Sequence, residues 1–141
     1  MTTYKSLSKA KISYLEQELF AYSRMYELVE KIRQDITNPY KEFEQSQEVR
    51  SSGNSSVVEN TVIRLISDKR LMRLQEIKEA VDYVYDNSNY VTKEFMELYY
   101  FTTPRKYNVQ GVSHNMNISE ATAYRIRRDV IGRFANELGI Y

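Results

Sequence analysis

The sequence predicts an all-α protein: a long, coiled-coil-like N-terminal helix and a helical domain ending in a helix-turn-helix. Three observations carry that prediction. Four glycines and two prolines in 141 residues leave room for few tight turns. Apolar residues recur at helical spacing through most of the chain, and no stretch alternates with the period of two that a half-buried strand requires. Near the C-terminus, NVQGVSHNMNISEATAYRIRR from Asn108 to Arg128 places a turn and a cap between two short apolar patterns.

The first helix is expected over Lys9–Ile36, with Ser8 as its cap and Asn38-Pro39 as its end, because the proline ring disfavours helix at the residue before it. Its apolar stripe steps by sevens through Leu15, Tyr22, Val29 and Ile36, interleaved with Ile12, Leu19 and Tyr26. Such a seam needs a partner: either a second long helix of the same chain or the equivalent helix of another copy, which makes a homo-oligomer one option. Charges on this helix, Lys5, Lys9, Lys11, Arg24 and Lys31 against Glu16, Glu18, Glu27 and Glu30, are mixed in sign and read as a solvated face. The expected organisation is a long helix over 1–40, a flexible Ser/Gly/Asn-rich linker over 41–56, and a helical domain over 57–141 with the helix-turn-helix at 108–138.

In that domain, Val58, Val62, Ile63, Leu65, Ile66, Leu71, Leu74, Ile77, Val81, Val84 and Tyr85 form one broad stripe of a helix ending near Asp86-Asn87, interrupted at Ser67–Arg70. Thr92 is placed to cap a short helix through Phe101, which Thr103-Pro104 stops, and Tyr99-Tyr100-Phe101 reads as core filling. Arg105 and Lys106 form a basic loop. Asn108 then caps the first helix of the final pair, and the last helix runs from Ser119 to Leu138 on Val130, Ile131, Phe134 and Leu138, with Gly139 ending it.

The final pair is where chemistry concentrates. Two helices crossing through a short turn must bury side chains between them, here Val112, Met116, Ile118, Ala123 and Ile126, with the small Ser113 at the crossing. Asn117 suits a left-handed turn residue, and Ser119 suits a cap accepting from the amide of Ala121 or Thr122. The outward positions are then Glu120, Ala121, Tyr124, Arg125 and Arg128. An arginine fork fits guanine or phosphate, an alanine methyl fits the thymine methyl, and Ser119, Gln110, Arg105 and Lys106 lie where backbone phosphates would pass. The candidate DNA-binding set is therefore Arg105, Lys106, Gln110, Ser119, Glu120, Ala121, Tyr124, Arg125 and Arg128. The bland reading is an amphipathic helix with solvated arginines.

Composition bounds the rest. The formal net charge is only +1, so a surface for double-stranded DNA must come from distribution. Between Arg105 and Arg133, six basic residues stand against Glu120 and Asp129, and Arg64, Lys69, Arg70 and Arg73 form a second cluster. No cysteine and a single histidine, His114, leave no thiolate or multi-histidine metal centre, no Cys–His nucleophile and, with the glycines scattered, no phosphate loop. No catalytic residue, cofactor or enzyme activity is expected. Without a membrane-spanning apolar run of roughly 20 residues or a signal-type segment, the chain reads as soluble, unexported and cytosolic.

Three stretches carry a resemblance: the helix closing in Ile36-Thr37-Asn38-Pro39-Tyr40, the segment Ser56-Val57-Val58-Glu59-Asn60-Thr61-Val62-Ile63-Arg64-Leu65 leading to Ser67-Asp68-Lys69-Arg70, and the pair containing Thr122-Ala123-Tyr124-Arg125. Together they resemble the RinA/ArpU-type phage transcriptional regulators, whose final helices are similar to the promoter-reading domain of sigma factors. The resemblance implies an activator of phage late structural or packaging genes acting in the cytosol of a Gram-positive host, with host RNA polymerase as a candidate second partner. Asn108-Val109-Gln110-Gly111 departs from the aromatic and acidic opening of that family's first paired helix. A small terminase subunit, which also joins such a pair to long helices but assembles as a ring, is the alternative. A protein-binding module using the fold without DNA is a third.

Overall fold

The computed structural model describes residues 3–37 and 54–141. Every regular element among them is helical, as expected: a 3₁₀ turn Tyr4–Ser6, α1 (Lys9–Ala21), a 3₁₀ turn Tyr22–Arg24, α2 (Met25–Thr37), α3 (Asn54–Ser67), α4 (Lys69–Asp86), α5 (Tyr90–Tyr99), α6 (Val109–Met116) and α7 (Glu120–Leu138). The expected stop at Asn38-Pro39, positions 41–53 of the linker and the Ile66 side chain lie outside the described residues. Asn54, Ser55 and Ser56, read as linker, form the first turn of α3.

The chain divides into two compact units, Met1–Arg24 with Glu76–Tyr141, and Met25–Gln75. In the first, Ser8 caps α1 by accepting from the Lys11 amide at 3.3 Å. Leu15 and Leu19 are buried on α1, Ile77, Ala80, Val81 and Val84 on α4, Phe95, Met96 and Tyr99 on α5, and Val130, Ile131, Phe134 and Ala135 on α7. These positions recur at three and four residues, so each helix turns one stripe inward. Full burial of a Phe95- or Phe134-sized side chain contributes about 2–3 kcal/mol.

Aromatic residues centre this core. Phe20 of α1 lies 5.2 Å from Tyr99 and 5.0 Å from Tyr100, centroid to centroid, in the edge-on or tilted arrangements that ring quadrupoles favour. Tyr99-Tyr100 is thus core, as expected. Asn89, not Thr92, caps α5: its Oδ1 accepts from the Thr92 amide at 2.9 Å, and Thr92 is itself buried. The Tyr22 hydroxyl donates to Asp82, which also accepts from Lys78 at 2.6 Å. Burial alone would raise the Asp82 carboxyl; the bonds from Lys78 and Tyr22 outweigh it and hold the group below its ordinary range.

The second unit has a thinner interior. α2 packs on α3, and Met25 and Ile36 are its buried apolar side chains among the described residues. The helix expected to run from 57 to 86 is two helices. Asp68 separates them and caps α4, accepting from the Arg70 amide at 2.8 Å and the Leu71 amide at 3.4 Å. Its carboxylate also holds the Arg70 guanidinium at 3.0 Å, a bond that keeps the Asp68 carboxyl below its usual range, and Arg70 reaches Asp35 at 3.7 Å.

Two expectations about apolar faces need correction. Val58, Val62 and Ile63 are exposed, and among the described residues α3 packs on α2 along one side. Tyr26, expected in the seam, is 77 % exposed whereas Met25 is 4 % exposed. The 3₁₀ turn at Tyr22–Arg24 breaks the spacing on which that expectation rested: it advances about 120° per residue where an α-helix advances about 100°, so the heptad phase counted along α1 does not carry into α2.

Candidate nucleic-acid interface

The final helices are set by local chemistry. Asn108 caps α6, its Oδ1 accepting from the Gly111 amide at 2.8 Å. Val109, Val112 and Ser113 are buried on that helix, and the Ser113 hydroxyl donates to the Gln110 carbonyl at 2.6 Å. At its end Asn117 adopts φ 56° and ψ 40°. This left-handed residue lets the Asn117 amide reach the His114 carbonyl at 3.3 Å and the Ile118 amide reach the Ser113 carbonyl at 3.0 Å, which satisfies the last turn. Ser119 then caps α7, accepting from the Thr122 amide at 3.1 Å while its own proton goes to Thr122 Oγ1 at 2.7 Å. Of the five positions expected between the helices, Val112 and Ala123 are fully buried and Met116, Ile118 and Ile126 half-buried.

All nine residues singled out from the sequence are exposed: Arg105, Lys106, Gln110, Ser119, Glu120, Ala121, Tyr124, Arg125 and Arg128. Ala121, Tyr124, Arg125 and Arg128 share one side of α7, within an arc of about 100° at a turn of about 100° per residue. Gln110 stands in the first turn of α6 and Glu120 in the first turn of α7. Among the described residues, neither Arg125 nor Arg128 has a hydrogen bond or ion pair.

Other basic residues of the stretch are committed inside the fold. The Arg127 guanidinium forks onto Glu16 of α1, Nε to Oε1 at 2.6 Å and Nη2 to Oε2 at 2.7 Å, and the Tyr100 hydroxyl donates to the same Oε1 at 3.0 Å. The bond to Glu16 makes Arg127 more basic than a free arginine, against the opposing effect of burial. Glu16 is therefore not on a solvated face, as its position among mixed charges had implied. Arg133 donates to the Ser88 hydroxyl at 2.8 Å and the Asn87 carbonyl at 3.0 Å, closing the end of α4. Arg105 lies over Phe20, 4.6 Å from the ring centroid, and donates to the Tyr99 hydroxyl at 2.9 Å. Lys106 rests near the Tyr107 ring.

The six basic residues counted between Arg105 and Arg133 thus separate into two groups. Arg105, Arg127 and Arg133 bond within the protein, and Lys106, Arg125 and Arg128 do not among the described residues. Sequence reasoning missed Glu16. Its one signal was its place at the edge of the Leu15–Leu19 stripe. The described residues hold no cluster of metal-ligating side chains and no helix long and apolar enough to cross a membrane.

Residues 10–136 match the family described as "Protein of unknown function (DUF722)". The chain belongs to this family. A relative within reach of this DUF722 protein, the transcriptional activator rinA of Staphylococcus phage phi11, is 30 % identical over 141 residues, covering 94 % of each chain. The resemblance to RinA-type regulators carried by the three sequence stretches is borne out by that match. No solved structure gave a significant match.

Proposed function

We propose that this DUF722 protein is a phage transcriptional activator that binds double-stranded DNA with α6 and α7 acting as a helix-turn-helix. One observation carries the reading: Arg125 and Arg128 stand exposed and, among the described residues, without hydrogen-bond or ion-pair partners, beside Tyr124 and Ala121 on a helix whose other arginines are committed. The staphylococcal phage relative, a transcriptional activator, supplies the biological context.

In this reading α7 enters the major groove. Arg125 and Arg128 read guanine edges or grip phosphates, Ala121 and Tyr124 meet bases, and Glu120 faces an exocyclic amine. Lys106, Gln110, Ser119 and the edge of Arg105 fix register on the backbone. The target is a late structural or packaging operon in the cytosol of the bacterial host, with RNA polymerase as second partner.

The test is to sequence the fragments that the purified protein retains from its own genome, then to titrate the preferred site. Arg125→Ala weakens binding to that site by about 1–3 kcal/mol and random duplex much less. Equal losses on both would remove base reading, and a protein that retains no fragment at moderate salt would remove the proposal itself.

A further inference from the structure

In the DNA-binding reading, α7 meets the duplex at a fixed tilt so that its exposed arginines reach base edges, and contacts with the first helix and the segment before it fix how α7 is seated. Arg127 lies about 160° around the helix from Arg125, on the side away from the exposed face. There it is held by both carboxylate oxygens of Glu16, with the Tyr100 hydroxyl as third member. Five residues on, Gly132 touches the start of the chain: a Cβ built there would sit 3.3 Å from the Tyr4 backbone nitrogen and 3.8 Å from the Thr3 carbonyl carbon. The absent side chain permits that close approach. Two separate points on α7 are thus fixed by residues 3–16: Arg127, behind the exposed arginines, through a bidentate ion pair, and Gly132, one turn beyond Arg128 and about 40° from it on the same side, through backbone packing.

We infer that Glu16 and Arg127 are positioning residues for sequence readout, and that the N-terminal segment Thr3–Glu16 is a brace that sets the angle at which α7 presents Arg125 and Arg128. This rests on the DNA-binding reading above. A planar guanidinium forked on a carboxylate resists both rotation and sliding, which a single apolar contact does not. The clamp lies on the same helix as the reading face, one residue from Arg128. A change in the helix's seating therefore moves the reading side chains directly, and contacts to base edges tolerate such shifts less than contacts to phosphates.

The experiment compares the full-length protein with Glu16→Gln, Arg127→Met and the reversed pair E16R/R127E, on the preferred genomic site and on random duplex, well below each variant's melting temperature. Each single substitution is expected to lower the ratio of specific to random affinity about tenfold, the size of one lost base contact, while the salt dependence on random DNA stays unchanged because no phosphate contact is removed. The reversed pair is expected to restore the ratio in part. Gly132→Ala, which crowds the second point, is expected to lower the ratio without altering any charge.

Three results would overturn the inference. Singles that melt earlier yet keep the full ratio would make the pair merely structural. A shallower salt slope for Arg127→Met would make Arg127 a phosphate contact. A higher affinity for Glu16→Gln would mean that Glu16 withholds Arg127 from DNA. A wild-type protein with no preferred site would instead defeat the DNA-binding reading, before any variant is compared.

Discussion

The two sides of α7 carry the same residue type and use it in opposite ways. On one side, Arg127 and Arg133 are bonded to Glu16, Ser88 and Asn87 and join the last helix to α1 and α4. On the other, Arg125 and Arg128 are exposed and have no such bond among the described residues. Identical chemistry thus does structural work where an acceptor lies within reach, and is left available where none does among the described residues. For a nucleic-acid reading, the informative quantity is the number of uncommitted cations, which is smaller than the number of cations.

The largest expected contrast is in stability. Arg127→Met leaves the partly buried Glu16 without its partner and costs about 3 kcal/mol in urea unfolding, whereas Arg128→Ala stays within about 0.5 kcal/mol. Equal costs would erase the distinction between the two sides. Arg133→Ala sits between them. It removes the donor to Ser88 and Asn87 at the end of α4 and is expected to cost about 1–2 kcal/mol, with faster amide exchange around Asn87 as the local sign.

The smallest effect is on pH dependence and isolates the third member of the clamp. Burial, then the nearby Glu16 charge, pushes the Tyr100 phenol well above its ordinary value. Below about pH 10 the phenol is neutral folded and unfolded, and its contribution is fully present. Above that, the unfolded chain ionises while the folded phenol resists, so stability falls as pH rises. Denaturation curves between about pH 9 and 11 should show a shallower decline for Tyr100→Phe than for wild type. An identical slope would mean that other groups carry the alkaline loss.

The local features of the final helices were legible because their causes are local. Asn117 in the left-handed region, Ser119 capping Thr122, Asn108 capping Gly111 and Gly139 closing α7 each depend on residues within three or four positions. Thr92 was misread as a cap only because Asn89, three residues earlier, does the same chemistry better. What could not be read depends on distance or on helical phase. The Glu16–Arg127 pair spans 111 positions, and apart from its place at the edge of the Leu15–Leu19 stripe nothing near Glu16 distinguishes it from a solvated carboxylate. The heptad arithmetic that put Tyr26 in the seam assumed an unbroken α-helix, which the 3₁₀ turn at Tyr22–Arg24 interrupts, and Met25 is buried instead. At Asp68 the apolar stripe continues while the helix does not, because a carboxylate competes for the amides of Arg70 and Leu71.

The pairing of Glu16 with Arg127 also has a consequence for how the protein is made. During translation at about 5–20 residues per second, α1 leaves the ribosome several seconds before the donor Arg127 exists, because 111 positions lie between the two partners. Until α4, α5 and finally α7 follow, the buried side of α1, with Leu15 and Leu19, lacks its full set of native neighbours. Interrupted synthesis would therefore leave no partly working reader, since the first and last helices become native together.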